Sequence, residues 1–351
     1  MKRKQVVMVT GASAGLGRAI AHGFAKKGAR LGLIARNREA LEACGDEVIQ
    51  LGGDAVVLPL DISDATAVDR AATELEEAFG PIDVWVNNAM ASVFSPVKEM
   101  LPEEYKRVTE VAYLGYVYGT LAALHRMLPR DRGTIIQIGS ALAVRSIPLQ
   151  SAYCACKHAI AGFTDSLRCE LHHDKSNVQL TMIQMPAMNT VQFTWMKSRL
   201  PDKPQPVPPI FQPDVAAAVV VHAAQQDRPR REYWVGAPTV EAIVAQMFVP
   251  GLLDRYLGET GYKAQQTGER DNPARPDNLW HPVPGRHSAR GPFDERSHSF
   301  SPQVFGNLHR GWILCAGVFL LAAIAAARET KQSSKRKGDD VVSIDRRKQI
   351  G

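Results

Sequence analysis

Thr10-Gly-Ala-Ser-Ala-Gly-Leu-Gly17 lies between an apolar, β-rich run at Gln5–Thr10 and a helical pattern near Leu16–Lys27. Gly11, Gly15 and Gly17 allow a tight strand-to-helix turn and let the backbone approach a pyrophosphate resting on the helix N-terminus. Outward from this turn the alternation repeats. Strands are expected at Arg30–Ala35, Ala55–Leu60, Asp83–Asn87, Thr134–Ile138, Gln179–Gln184 and Glu232–Val235. Helices are expected near Arg38–Leu51, Asp64–Phe79, Pro102–Leu128 and Ala152–His172, with a further helical stretch over Thr239–Leu257. Such alternation argues for a parallel sheet covered on both faces, an α/β doubly wound Rossmann arrangement with right-handed crossovers.

Composition sets few limits. The chain has 351 residues, 45% hydrophobic and 22% charged, enough to bury a large core without staples. The net charge of +6 is scattered through the first 200 residues with no aromatic-basic array, so no nucleic-acid partner is expected. The five cysteines, 44, 154, 156, 169 and 315, show no metal-ligand spacing, and no metal is expected. They read as free thiols in a reducing compartment, with a redox-sensitive Cys154-x-Cys156 pair as the alternative. The basic start Met1–Lys4 runs into too short an apolar stretch to read as a signal peptide.

A basic residue closes the second strand: Arg36, in Ile34-Ala-Arg-Asn37. An acid there would bind a ribose 2′-hydroxyl, whereas an arginine accommodates a 2′-phosphate. The pattern therefore points to NADP(H) rather than NAD, and Ser13 adds a hydroxyl on the same side. Tyr153-Cys-Ala-Cys-Lys157 sets a tyrosine and a lysine one helical turn apart. An ammonium near a phenol favours the phenolate and lowers its pKa from about 10 towards neutrality, as proton exchange with a carbonyl or alcohol oxygen requires.

That pair follows Gly139-Ser140 by thirteen residues, and the glycine turn opens the chain. Together the three motifs resemble the short-chain dehydrogenase/reductase family over roughly residues 5–237. The resemblance implies that Tyr153 is the general acid/base, that Lys157 tunes it and holds the nicotinamide ribose, and that Ser140 binds the substrate oxygen. It also implies a cofactor set of Gly11, Ser13, Gly15, Leu16, Gly17, Arg36, Asp61, Ile62, Asn88, Ala89, Tyr153, Lys157, Pro186 and Thr190. In that set Asp61 and Ile62 lie at the adenine, and Pro186 and Thr190 at the carboxamide. Three positions depart from the family pattern: Met90 and Ala187 replace glycines, and Ala112 replaces an asparagine whose backbone supports a water leading to the lysine.

Between Thr190 and Asp214 six prolines break any regular element, and Phe193, Trp195, Met196 and Phe211 make the stretch a candidate substrate lid, with a rigid surface loop as the alternative. Residues 1–257 are thus expected to form the catalytic domain. A polar arm rich in Pro, Gly, His and Arg should follow over 258–310. Gly311–Ala327 runs for seventeen residues without a charge, about 25 Å as a helix and near the ~30 Å of a hydrocarbon core. It is expected to contact the membrane, with Arg310 and Arg328 at its ends and a basic polar tail over 328–351. The alternative is a helix packed in the core.

The expected protein is an NADP(H)-dependent oxidoreductase interconverting a carbonyl and a secondary alcohol on an apolar small molecule. It is expected at a membrane with its catalytic domain in the cytoplasm, and a homo-oligomer is compatible with the reading. The rival reading is a non-catalytic, membrane-associated NADP-binding protein, favoured by Ala112 and opposed by the intact Ser140, Tyr153 and Lys157.

Overall fold

The computed structural model describes residues 3–310. Seven strands form the central sheet: β1 (Val6–Thr10), β2 (Arg30–Ala35), β3 (Asp54–Pro59), β4 (Val84–Asn87), β5 (Thr134–Ile138), β6 (Gln179–Gln184) and β7 (Glu232–Trp234). Their order is β7-β6-β5-β4-β1-β2-β3, and every neighbouring pair is parallel. This is the doubly wound sheet that the strand-helix alternation predicts. Val6 to Val9, Leu31 and Leu33 are wholly buried, because helices cover both faces and leave no polar side for alternation. Pro59, which has no N–H to give, falls on the edge strand β3, where none is missed.

The order reverses between β1 and β4, and the crevice at such a switch point is where ligands bind in this architecture. Two turns meet there. One is the glycine turn leading from β1 into α1 (Gly15–Ala25), and the other is Asn88–Ala89 after β4. Gly11 adopts φ +68°, and a side chain on it would meet the Ala89 Cα at 2.8 Å. The Thr10 hydroxyl accepts from the backbone N–H groups of Asn88 (2.8 Å) and Ala89 (3.0 Å), locking the two turns together.

The helices α2 (Arg38–Gln50) and α3 (Ala65–Phe79) start on Asn37 and Asp64, whose side chains accept from Ala40 N and Ala67 N. The long helix expected over Pro102–Leu128 is interrupted. α4 (Pro102–Thr109) passes through a π turn at Glu110–Leu114 before α5 (Gly115–Met127), and buried Ala112 lies in that turn. Such turns are concentrated at functional sites. After α6 (Ser151–His173) and α7 (Pro213–Ala224), the helix expected over Thr239–Leu257 is two. Pro250 cannot continue α8 (Ala237–Phe248) and instead starts α9 (Pro250–Ala264), with Val249 leaving helical geometry at φ −136°, ψ 47°.

The polar stretch beyond residue 257 is no free linker, since Met1–Val304 form one compact unit. Gln265 is fully buried, donates to Pro148 O at 2.9 Å and accepts from Gln150 at 2.8 Å. Gln266–Arg270 pairs antiparallel with Asp202–Pro204, and Ser297–His298 pairs parallel with Ile210–Phe211. The apolar run 311–327 and the tail 328–351 lie outside the described residues. Among the described residues no helix is long and apolar enough to cross a membrane.

Candidate active site

One cavity of about 720 Å³ runs from the glycine turn to α9. All the residues expected at the site reach its wall: Gly11, Ser13, Gly15, Leu16, Gly17, Arg36, Asp61, Ile62, Asn88, Ala89, Ser140, Tyr153, Lys157, Pro186 and Thr190. They arrive from the carboxyl ends of β1 through β6 and from the first turns of α6, which is why a sequence spread over 180 positions converges here.

At the catalytic end, Tyr153 and Ser140 share the cavity wall. The Ser140 backbone N–H donates to Gln184 Oε1 (2.7 Å), and its hydroxyl oxygen accepts from Leu142 N (3.1 Å), so backbone and side chain are each held by one bond. Lys157 is almost wholly buried one helical turn beyond Tyr153. Its Nζ lies 2.6 Å from Ile138 O, 3.1 Å from the Tyr116 hydroxyl and 5.5 Å from the Tyr153 ring centroid. Burial pushes Lys157 down to about 7. The electrostatics differ from the expectation that the ammonium lowers the phenol. Tyr153 keeps some exposure to the cavity, yet burial raises its pKa, and Ser140 opposes this only in part. The reason is distance and competition: the amine is turned to Tyr116 and the Ile138 carbonyl. Cys154 and Cys156 are buried free thiols, both raised by burial, Cys156 to about 11, and neither is paired.

The nicotinamide end fits a dinucleotide. Thr190 Oγ1 is a buried hydroxyl with no partner among the described residues, and Thr190 lines the cavity with Pro186. The glycine turn is a cradle in which a Cβ on Gly17 would meet Gly11 O at 2.1 Å. Asn88 braces this cradle, its side-chain amide donating to Thr10 O at 2.9 Å.

The adenosine end is different. Asp61, expected at the adenine, is held by Arg107 and by the Ser63 N–H and hydroxyl (3.0 and 2.8 Å). Burial works against the Asp61 carboxylate, but Arg107 and Ser63 outweigh it and hold the pKa below the usual range. Arg36 donates to the carbonyls of Asn278, Leu279 (3.4 Å) and Trp280 (3.0 Å). Burial pushes its pKa down. Sequence reasoning missed these partners, and with them Tyr116, Arg18 and Arg107. Tyr116 carries a weak signal, being one helical turn after Ala112; the carbonyls of 278–280 carry none.

The opposite wall is apolar, with Phe193 and Met196 from the irregular stretch after Thr190 and Ala242, Ala245, Leu253 and Leu257 from α8 and α9.

A family model described as short chain dehydrogenase matches residues 5–199. An oxidoreductase of Bacillus subtilis, itself uncharacterized, is 32% identical over 287 residues, covering 81% of this chain and 80% of that protein. A fatty acyl-CoA reductase of Acinetobacter baylyi is 32% identical over 229 residues, 65% of this chain and 75% of that protein. Among solved structures, a metagenomic short-chain oxidoreductase in complex with NADP superposes with a TM-score of 0.56 at 31% identity, covering 66% of this chain and 96% of its own.

Proposed function

This chain belongs to the short-chain dehydrogenases, and from that premise we propose that it is an NADP(H)-dependent oxidoreductase interconverting a carbonyl and a secondary alcohol on an apolar small molecule. The observation that carries the reading is the convergence of Ser140, Tyr153 and Lys157 on a cavity whose far wall is aliphatic and aromatic. A bound nicotinamide would supply or accept the hydride. Thr190 and Pro186 would hold its carboxamide, Lys157 its ribose, and the Gly11–Gly17 turn its pyrophosphate.

The chain's own residues manage the proton. Ser140, held by Gln184 and Leu142, offers its hydroxyl proton to the substrate oxygen and orients it towards Tyr153. In reduction the neutral Tyr153 phenol gives its proton to the oxygen as negative charge develops there; in oxidation the phenolate takes it back. The raised Tyr153 pKa suits the donor role at neutral pH. The NADP complex among the structural relatives and Arg36 support the phosphorylated cofactor. The fatty acyl-CoA reductase relative and the apolar wall support a lipophilic substrate.

The test is NADPH oxidation, followed optically, against ketones, aldehydes, sterol-like ketones and acyl thioesters. Turnover of apolar carbonyls, lost in Tyr153→Phe, is the expected result. Tight nucleotide binding with no turnover across the panel would favour the non-catalytic reading that Ala112 raises.

A further inference from the structure

Residues 278–288 run along the adenosine end of the cofactor groove and place backbone carbonyls on its donors. Arg36 takes those of Asn278, Leu279 and Trp280. The Asn37 side-chain amide donates to Val283 O (2.7 Å) and Gly285 O (3.1 Å), and Arg18 donates to Arg286 O (2.6 Å) and His287 O (3.1 Å). At the start of α1 the Gly15 N–H donates to Ser288 O at 3.0 Å. These oxygens carry partial negative charge and sit on a helix N-terminus and an arginine, the two features that recognise phosphate.

An apolar plug accompanies them. Leu279 is wholly buried in the same cluster as Ile34, Ile62, Val108 and Val111, and its carbonyl also accepts from Arg107, the residue that holds Asp61. Leu279 is thus packed with Ile34 and Ile62 and tied through Arg107 to Asp61, next to the positions expected at the adenine.

We propose that this segment is an intramolecular competitor for the adenosine half of the dinucleotide, a strap that must leave its seat before the cofactor binds. The proposal rests on the dinucleotide reading of the site given above. Leu279 stands in for the adenine, and the carbonyls of 278–280 and 288 stand in for phosphate oxygens. The strap is pinned to the substrate wall on both sides. Asn278 N donates to Trp195 O (3.1 Å), Arg275 donates to Thr194 O (2.9 Å) and Met196 O (2.5 Å), and Gly291 N donates to Asn189 O (3.2 Å). His287 packs its ring on Trp195 at 4.3 Å between centroids. Displacement is therefore a release from these pins rather than unfolding of the sheet.

When the competent state is a fraction of the population, apparent affinity falls by that fraction, and loosening the strap restores it. The experiment measures NADPH and NADH binding by nicotinamide fluorescence in the full chain, in Leu279→Ala and in His287→Ala. The histidine variant loosens the strap at its contact with Trp195 and guards against Leu279→Ala failing to fold. Hydrogen exchange over residues 274–291 is followed with and without NADPH. The expected result is tighter binding of both nucleotides in the variants, by roughly tenfold or more for Leu279→Ala, and faster exchange of the strap when NADPH is added. Slower exchange with NADPH, together with weaker or unchanged binding in the variants, overturns the proposal and makes the strap a roof over bound cofactor. If neither nucleotide binds any folded form, the dinucleotide reading itself falls and the strap proposal with it.

Discussion

The Lys157 amine is held 3.1 Å from the Tyr116 hydroxyl, and both groups meet the same Ile138 carbonyl, at 2.6 and 3.1 Å. The lysine of the Tyr153–Lys157 pair is thus anchored by a second tyrosine on α5, inside a pocket dry enough to pull its pKa to about 7.

A pH dependence of stability follows. The folded lysine titrates near 7 and the unfolded one near 10.5. Between these values the unfolded chain binds a proton that the folded chain does not, so stability rises with pH across this window, by up to about 1.4 kcal/mol per unit. The penalty is full below about pH 7 and gone by about pH 10.5. Urea midpoints taken across this range should climb in the parent relative to Lys157→Met; parallel curves would show an ordinary lysine charge.

Tyr153→Phe should reduce turnover by about 10²–10⁴-fold and leave nucleotide binding intact, because the phenol supplies only the proton. Since burial holds the phenol protonated, alcohol oxidation by the parent should speed up as pH rises into the alkaline range, while carbonyl reduction should not. Rates of both directions against pH, with a substrate from the panel, check this. Near-normal rates in the phenylalanine variant would remove Tyr153 from the reaction.

Arg36→Asp should reverse a preference for NADPH. A charge-assisted bond to phosphate contributes roughly 1.5–3 kcal/mol, about 10- to 150-fold in relative affinity. The substitution also frees the carbonyls of 278–280, so absolute affinities for both nucleotides shift together. The informative quantity is the ratio of the two dissociation constants, and an unchanged ratio would leave Arg36 as an anchor for the strap alone.

The apolar run 311–327 is proposed, on its sequence, to attach the enzyme to membranes. A chain ending at Arg310 keeps α9, Gln265 and the strap, so it should stay folded, bind NADPH and remain in the supernatant. The full chain should sediment with membranes through a high-salt wash that removes attachment by the basic tail. A soluble full chain, or a truncated one that sediments, would end the proposal.

The sheet was legible because its signals are local. The glycine turn, the apolar runs and the Ser140, Tyr153 and Lys157 spacing each sit within one or two elements. Helix limits were less so: the π turn around Ala112 and the break at Val249–Pro250 depend on how neighbouring turns pack, although Pro250 itself was a visible warning. The adenosine end was illegible for a deeper reason. Its occupants are main-chain oxygens, which every residue carries, brought 240 positions along the chain to Arg36 by a segment without periodicity. The polar composition of 258–310 pointed to a solvated arm because it does not reveal that one leucine, Leu279, is wholly buried.

The contact between Trp195 and His287 has a kinetic meaning. The wall of the apolar side and the segment seated at the adenosine end are fastened to each other, so they would move together. On the strap proposal, displacement by the dinucleotide would also loosen the apolar wall, and the return of the strap would follow release of the dinucleotide. The frequency of that release, rather than the hydride step, would set the ceiling on kcat, and a pre-steady-state burst of nicotinamide oxidation would be its signature.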